Sequence, residues 1–228
     1  MRSSYIKTLS FVALVAGLQS MPTQAQLIIS EVHSTGSSSS TYARDWFEIR
    51  NVGLATLDLT GWRVDDSTPT FATAVALRGV TSLAPGQIAI FMESDTAGAN
   101  DVSNGAALTA AWFGANVPAG FTLGFYGGSG IGLSSTADAV NLFDSGGSFV
   151  AGVNFGTGTL GISFDNSAGL SGAISQLSAV GVNGAFNSVA GSEIGSPGIV
   201  VVPEPTVLSF GLLGLVGTVL RRRLLARR

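Results

Sequence analysis

The feature that most constrains this chain is its punctuation. From Gln26 onward, apolar runs of strand length are broken by turn residues at intervals of about ten positions, and no long interior segment shows helical periodicity. "DWFEIRN" alternates, with Trp46, Glu48 and Arg50 on one side and Phe47 and Ile49 on the other, and Asn51-Val52-Gly53 then signals a turn. "QLIISEVH" precedes it as a β-rich run. "LDLTGWRVDD" follows, with a bulge or kink expected at Thr60-Gly61. In "LAPGQIAIFME" a Pro-Gly turn leads into a strand over Gln87–Met92. Ala139–Val153 reads as a hairpin with Asp144-Ser145-Gly146-Gly147 at its tip, and "FTLGFYGG" and "SGAISQL" supply further strands. Thirty-one glycines disfavour long helices. Short strands separated by regular turns predict an all-β sandwich. Its core is drawn from Trp46, Phe47, Ile49, Trp62, Val64, Ile88, Ile90, Phe91, Val140, Leu142 and Phe143, of which half to two-thirds are expected to be buried.

Both ends differ from this middle. Arg2 and Lys7 precede a ten-residue apolar run, Leu9–Leu18, and small residues at Thr23 and Ala25 fit a cleavage site between Ala25 and Gln26. Charge, apolar run and cleavage site in that order predict a signal peptide over residues 1–25; the alternative is a buried N-terminal helix. At the other end stand Pro203-Glu204-Pro205, then Val207–Leu220 with only Ser209 and Thr218 polar, then Arg221, Arg222 and Arg223, and last Arg227 and Arg228. The prolines enforce an extended peptide that an enzyme cleft can grip. The apolar run makes a helix roughly 21 Å long, short for a hydrocarbon core of about 30 Å unless the arginines snorkel. The arginine cluster resists translocation and stays cytoplasmic.

This C-terminal order resembles the PEP-CTERM sorting signal of Gram-negative bacteria. The resemblance implies that exosortase, an integral-membrane cysteine transpeptidase, recognises Pro203, Glu204 and Pro205 and removes the tail. It also implies an association with exopolysaccharide and biofilm matrix. An ordinary single-pass anchor is the alternative.

The middle resembles a second family, the lamin-tail domain. The strings that carry the likeness are "IISEV", "DWFEIRNVG", "DLTGWRVDD", "LAPGQIAIF", "DAVNLFDSGG" and "SPG" at Ser196, spanning about Leu27 to Gly198. The resemblance implies an immunoglobulin-like β-sandwich. Ala97–Phe121 departs from it, being longer and richer in alanine than a tight loop needs. Gly156–Gly195 also departs, as a glycine- and serine-rich stretch expected to form a loose edge strand with long loops. The expected organisation is a signal peptide over 1–25, a sandwich over 26–198 and a sorting signal over 199–228.

Charge and chemistry narrow the function. Between Gln26 and Val202 there are four arginines, no lysine and thirteen acidic residues, a net charge of −9 that argues against nucleic acid as a partner. Cysteine is absent, so no thiol serves catalysis, metal binding or lipid attachment. His33 is read as an exposed residue at a strand end, before the low-complexity "STGSSSST". Asp65 and Asp66 point to opposite faces of one strand. Glu31 and Glu48 fall in strands that can pair, and an ion pair with Arg50 or Arg63, or simple solvation, is expected of them. "ESDTAGANDVSNG" offers Glu93, Asp95, Asn100, Asp101 and Asn104 as calcium ligands, without EF-hand spacing, and metal-free Asx turns are the alternative. No cofactor is otherwise expected.

The favoured function is a non-enzymatic, exported surface or matrix protein that binds protein or polysaccharide. Signal peptidase and exosortase would handle it during export, with the C-terminal helix in the membrane until processing. The alternative is an extracellular metal-dependent hydrolase using acidic residues of the sandwich, for which no second catalytic domain is evident.

Overall fold

The computed structural model describes residues 27–199. The first half contains β1 (Leu27–His33), α1 (Gly36–Ser39), β2 (Trp46–Asn51), β3 (Leu57–Asp58), β4 (Arg63–Asp65), β5 (Val75–Ala76), β6 (Ser82–Leu83), β7 (Ile88–Ser94) and α2 (Asp101–Phe113). There follow β8 (Leu123–Gly127), β9 (Asp138–Phe143), β10 (Phe149–Phe155), β11 (Phe164–Asp165), β12 (Gly172–Ile174), β13 (Phe186–Asn187) and β14 (Ile194–Gly195). Ten strands form two five-stranded sheets, ordered β11-β1-β2-β7-β8 and β12-β10-β9-β4-β5. β3 pairs with β6, and β13 with β14, as small two-stranded additions.

The two faces of β2 are as the alternation predicts. Phe47 and Ile49 pack inward with Phe91 and Tyr126 against Val64, Val140, Leu142 and Val153 of the second sheet. Trp46 points outward into a second apolar cluster, formed with Tyr42, Ile90, Met92 and the α2 residues Leu108, Ala111, Trp112 and Phe113. Because this outer face is also covered, all of the expected core side chains are buried, more than a one-sided sheet would bury. Each such side chain contributes about 1.5–3 kcal/mol.

The sequence pattern predicts no interior helix, and α2 departs from it. β7 and β8 run parallel, and parallel neighbours need a long crossover, most often a helix. The alanine-rich stretch supplies it as α2. Gly105 lets the helix lie close: a Cβ there would stand 3.1 Å from Leu123 Cδ2 and from Phe125 Cζ. Gly114, at φ +58°, ends it.

The turn readings agree with the structure. Asp144 Oδ1 accepts the N–H groups of Gly146 and Ser148 at 2.9 Å each, closing the β9–β10 hairpin. The Pro85-Gly86 turn leads into β7, and Thr60-Gly61 forms a tight turn in which the Trp62 N–H reaches the Leu59 carbonyl. "STGSSSST" contains one helical turn, α1, held by the Ser37 N–H on Asp45 Oδ1 at 2.9 Å. The stretch read as a loose edge is instead a strap of short strands and turns. It sends Phe164 and Ile174 into the core between the sheets and carries Phe186 to Trp112.

The predicted signal peptide, with its cleavage site at Ala25 and Gln26, lies outside the described residues, as do Pro203, Glu204, Pro205 and the arginines from Arg221 to Arg228. Among the described residues no helix is long and apolar enough to cross a membrane.

Candidate functional site: a buried carboxyl cluster

Two acidic centres lie on the outer face of the first sheet. β1 and β2 pair antiparallel with a bulge between Ile29 and Glu31, and this register sets Glu31 directly across from Glu48 and His33 across from Trp46. Glu31 is 0 % exposed and Glu48 2 %. Like charges opposite each other on a sheet repel, so the surroundings must compensate. Glu31 Oε1 accepts the Ser196 N–H at 2.8 Å and the Ser163 hydroxyl, while Oε2 accepts the Ser196 hydroxyl at 3.0 Å. Glu48 accepts the Ser30 hydroxyl and the Gly198 N–H, both at 2.6 Å.

Burial pushes the Glu31 carboxyl up to about 7 against the pull of these donors, with Asp165 adding to the rise. Glu48 is raised well above the usual carboxylate range, first by burial and then by the charge of Glu31; the Ser30 and Gly198 bonds and the charge of Arg50 act the other way. Simple solvation is therefore overturned for both residues: the strap closes over them. Arg63 is engaged elsewhere, donating to the Ala74 carbonyl at 2.9 Å and lying 5.2 Å from the Phe71 ring centre.

The second centre is built on His33, which is not an exposed strand-end residue but 0 % exposed. The strap brings Glu193 to it, with Nε2 and Oε1 3.3 Å apart. Tyr42 donates to the same Oε1 at 2.6 Å and accepts the indole N–H groups of Trp46 at 2.9 Å and Trp112 at 3.1 Å. Burial lowers His33 to about 4 and raises Glu193 to about 7, the latter opposed by the Tyr42 bond. Burial, and then the charge of Glu193, also holds the Tyr42 hydroxyl well above its ordinary value.

Two carboxyls facing each other, or a histidine beside a carboxyl, can exchange protons. Here Glu31, His33, Glu48 and Glu193 are each at most 2 % exposed.

Of the residues named as calcium ligands, Asp95, Asp101 and Asn104 have protein partners. Asp95 accepts the N–H groups of Ala99 and Asn100, which hold it below its usual range. Asp101 is gripped by Arg78, at 2.7 Å through Nε and 2.8 Å through Nη2, and Asn104 donates to Ser94. Glu93 is raised, chiefly by burial. Among the described residues no three His, Asp or Glu side chains gather as a metal-binding group.

Residues 20–157 match the family model described as Lamin Tail Domain, more than half of the chain. The chain belongs to the lamin tail domain family. Its mostly-β, immunoglobulin-like sandwich is the fold that the sequence resemblance implied. No curated protein matches the chain. The lamin tail match contains Glu31, His33, Tyr42, Trp46 and Glu48 but ends before the strap, so Ser163, Glu193, Ser196 and Gly198 reach these residues from outside it.

Sequence reasoning paired β1 with β2 but missed the closure. The available signal was one glutamate in the middle of each strand. The Ser30 bulge that brings the two opposite leaves no mark in an alternation pattern, and Tyr42, Trp112 and Glu193 lie too far apart in the chain for any local pattern to join them.

Proposed function

We propose that the chain is an exported, non-catalytic β-sandwich protein of the cell surface or extracellular matrix, delivered by an exosortase-type system and binding protein or polysaccharide there. The lamin tail sandwich fits a non-enzymatic role. The observation that carries the reading is the closure of the acidic centres: Glu31, Glu48 and Glu193 are each at most 2 % exposed. A hydrolase of the sandwich would need such groups in an open cleft beside its substrate.

The delivery part rests on the terminal patterns: the apolar run ahead of Ala25-Gln26, the Pro203-Glu204-Pro205 tripeptide, and the arginines that follow Leu220. The net charge of −9 in the middle keeps nucleic acid off the list of partners.

Two experiments test the two halves. The full chain is assayed on chromogenic glycoside, ester and phosphoester substrates, with and without divalent metal. No turnover is expected, and turnover abolished by Glu48→Gln would establish the hydrolase instead. For delivery, the chain is expressed with and without exosortase, and the secreted form is sequenced from its N-terminus. The expected product starts at Gln26 and lacks the tail. A tail that persists when exosortase is present, or that is lost equally from a Pro203→Ala/Pro205→Ala variant, would refute sorting.

A further inference from the structure

A hollow of about 380 Å³ lies between β1, β10 and the strap. Ile28 of β1, Phe149 and Gly152 of β10, and Gly169 and Leu170 of the strap lie along it. Its volume falls within the range of functional pockets, roughly 300–1,000 Å³, but its walls are unlike those of a small-molecule site. Two strand edges form them.

β10 pairs with β9 along one side from Phe149 to Phe155, with a register shift between Phe149 and Ala151. On its other side β12 covers only Val153, Asn154 and Phe155, running parallel. Among the described residues no strand pairs with that side of Phe149–Gly152. The opposite wall is partly closed: β11 pairs with β1 only at Glu31 and Val32, and beyond it the Asn166 side chain donates to the Ile29 carbonyl at 2.7 Å. An edge of four residues runs for about 13 Å and presents unpaired N–H and C=O groups.

We propose that this edge is a docking site for an extended, uncharged peptide segment of another protein, whose backbone adds to β10 between Phe149 and Gly152. The proposal deepens the binding-module reading and rests on it.

Three observations select this occupant. First, β12 already fills the downstream part of the same edge, so an added strand continues a line that the fold has begun. Second, none of the residues lining the hollow is charged, in a domain of net charge −9, so a charged segment would lose its hydration with no partner in return. Third, the lining suits a sugar chain poorly. The Phe149 ring stands edge-on to Phe143 at 77°, and the Asn141 amide nitrogen donates to the Asp66 carbonyl, which leaves Asn154 and Ser171 as the exposed polar side chains of the lining. Main-chain hydrogen bonds would supply affinity, and the exposed side chains of Phe149 and Leu170, 56 % and 58 % accessible, would grip alternate apolar side chains of the guest.

The test pans a phage-displayed library of random peptides of about ten residues, roughly 33 Å when extended, against the full chain. An enriched peptide is then synthesised and hydrogen exchange is recorded with and without it. The expected peptides are uncharged with alternating apolar residues, and they slow exchange of backbone amides within Phe149–Gly152. Phe149→Lys and Leu170→Lys, each with an unchanged urea midpoint, should weaken binding by at least about tenfold. Leu54→Lys, at a 99 % exposed position outside the hollow, should not.

Failure to enrich any peptide overturns the proposal, as does binding that both lysine variants leave intact. A dimer dissociated by Leu170→Lys would assign the edge to a second copy of the chain, and a polysaccharide that slows the same amides would assign it to sugar; either result also overturns it. Peptides that protect a different surface would sink this site while leaving the binding-module reading in place.

Discussion

Glu31 carries an unusual linkage between folding and pH. Its carboxyl stands at about 7 in the fold against an ordinary 4.5. A raised folded value favours the protonated fold, so the stability this group contributes is fully present below about 4.5 and is lost as pH rises to about 7. Glu193 follows the same course. His33 runs the other way: held at about 4, it contributes fully above 6.5 and its share is lost as pH falls toward 4. With Glu48 raised as well, the carboxyls outnumber the histidine. The urea midpoint should therefore be higher at pH 5 than at pH 8, the reverse of ordinary acid denaturation. Glu31→Gln should flatten that slope, by an amount on the order of 1–3 kcal/mol between the two limits. Tyr42→Phe is a separate test. It strips a hydroxyl that serves Glu193 and two indoles, and each buried polar group left unpaired costs about 1–3 kcal/mol. Urea unfolding at fixed pH reads that loss.

Among the elements, α2 shows most clearly what tertiary structure adds. Trp112 joins it to the sheet through Trp46, to the strap through Phe186 and to the polar network through Tyr42. Trp112→Ala should cost about 3–5 kcal/mol, visible as a drop in thermal midpoint together with loss of near-ultraviolet tryptophan signal. The hairpin tip was legible because Asp144 and its glycines satisfy their hydrogen bonds locally. The faces of β2 were legible because alternation is a property of the strand alone. α2 was not. Its stretch is alanine-rich, contains Gly105 in mid-helix and has too weak a stripe to stand out; what requires a helix is the parallel pairing of β7 with β8, known only once the sheet is assembled. For the same reason Glu31 and Glu48 looked like solvated surface residues: each strand was read with one face open to water, and the cover comes from more than a hundred residues downstream.

At the scale of the whole molecule, the sandwich depends on residues outside its family match. A chain ending at Thr157, the limit of that match, would lose every donor that the strap brings to Glu31 and Glu48 and would uncover Trp112. We expect it to bind a hydrophobic dye, to emit tryptophan fluorescence at longer wavelength than the full chain, and to unfold without a cooperative transition. A cooperative transition at the full chain's midpoint would show the strap to be dispensable. The carboxyls also fix where the chain leaves the body. Glu48 holds the Gly198 amide against the sheet, and Pro203 comes five residues later. Fully stretched, that tether reaches at most about 18 Å. Any protease that works on the Pro-Glu-Pro tripeptide must operate in the shadow of the sandwich, and its active site has to be shallow or raised enough to meet a substrate on so short a leash.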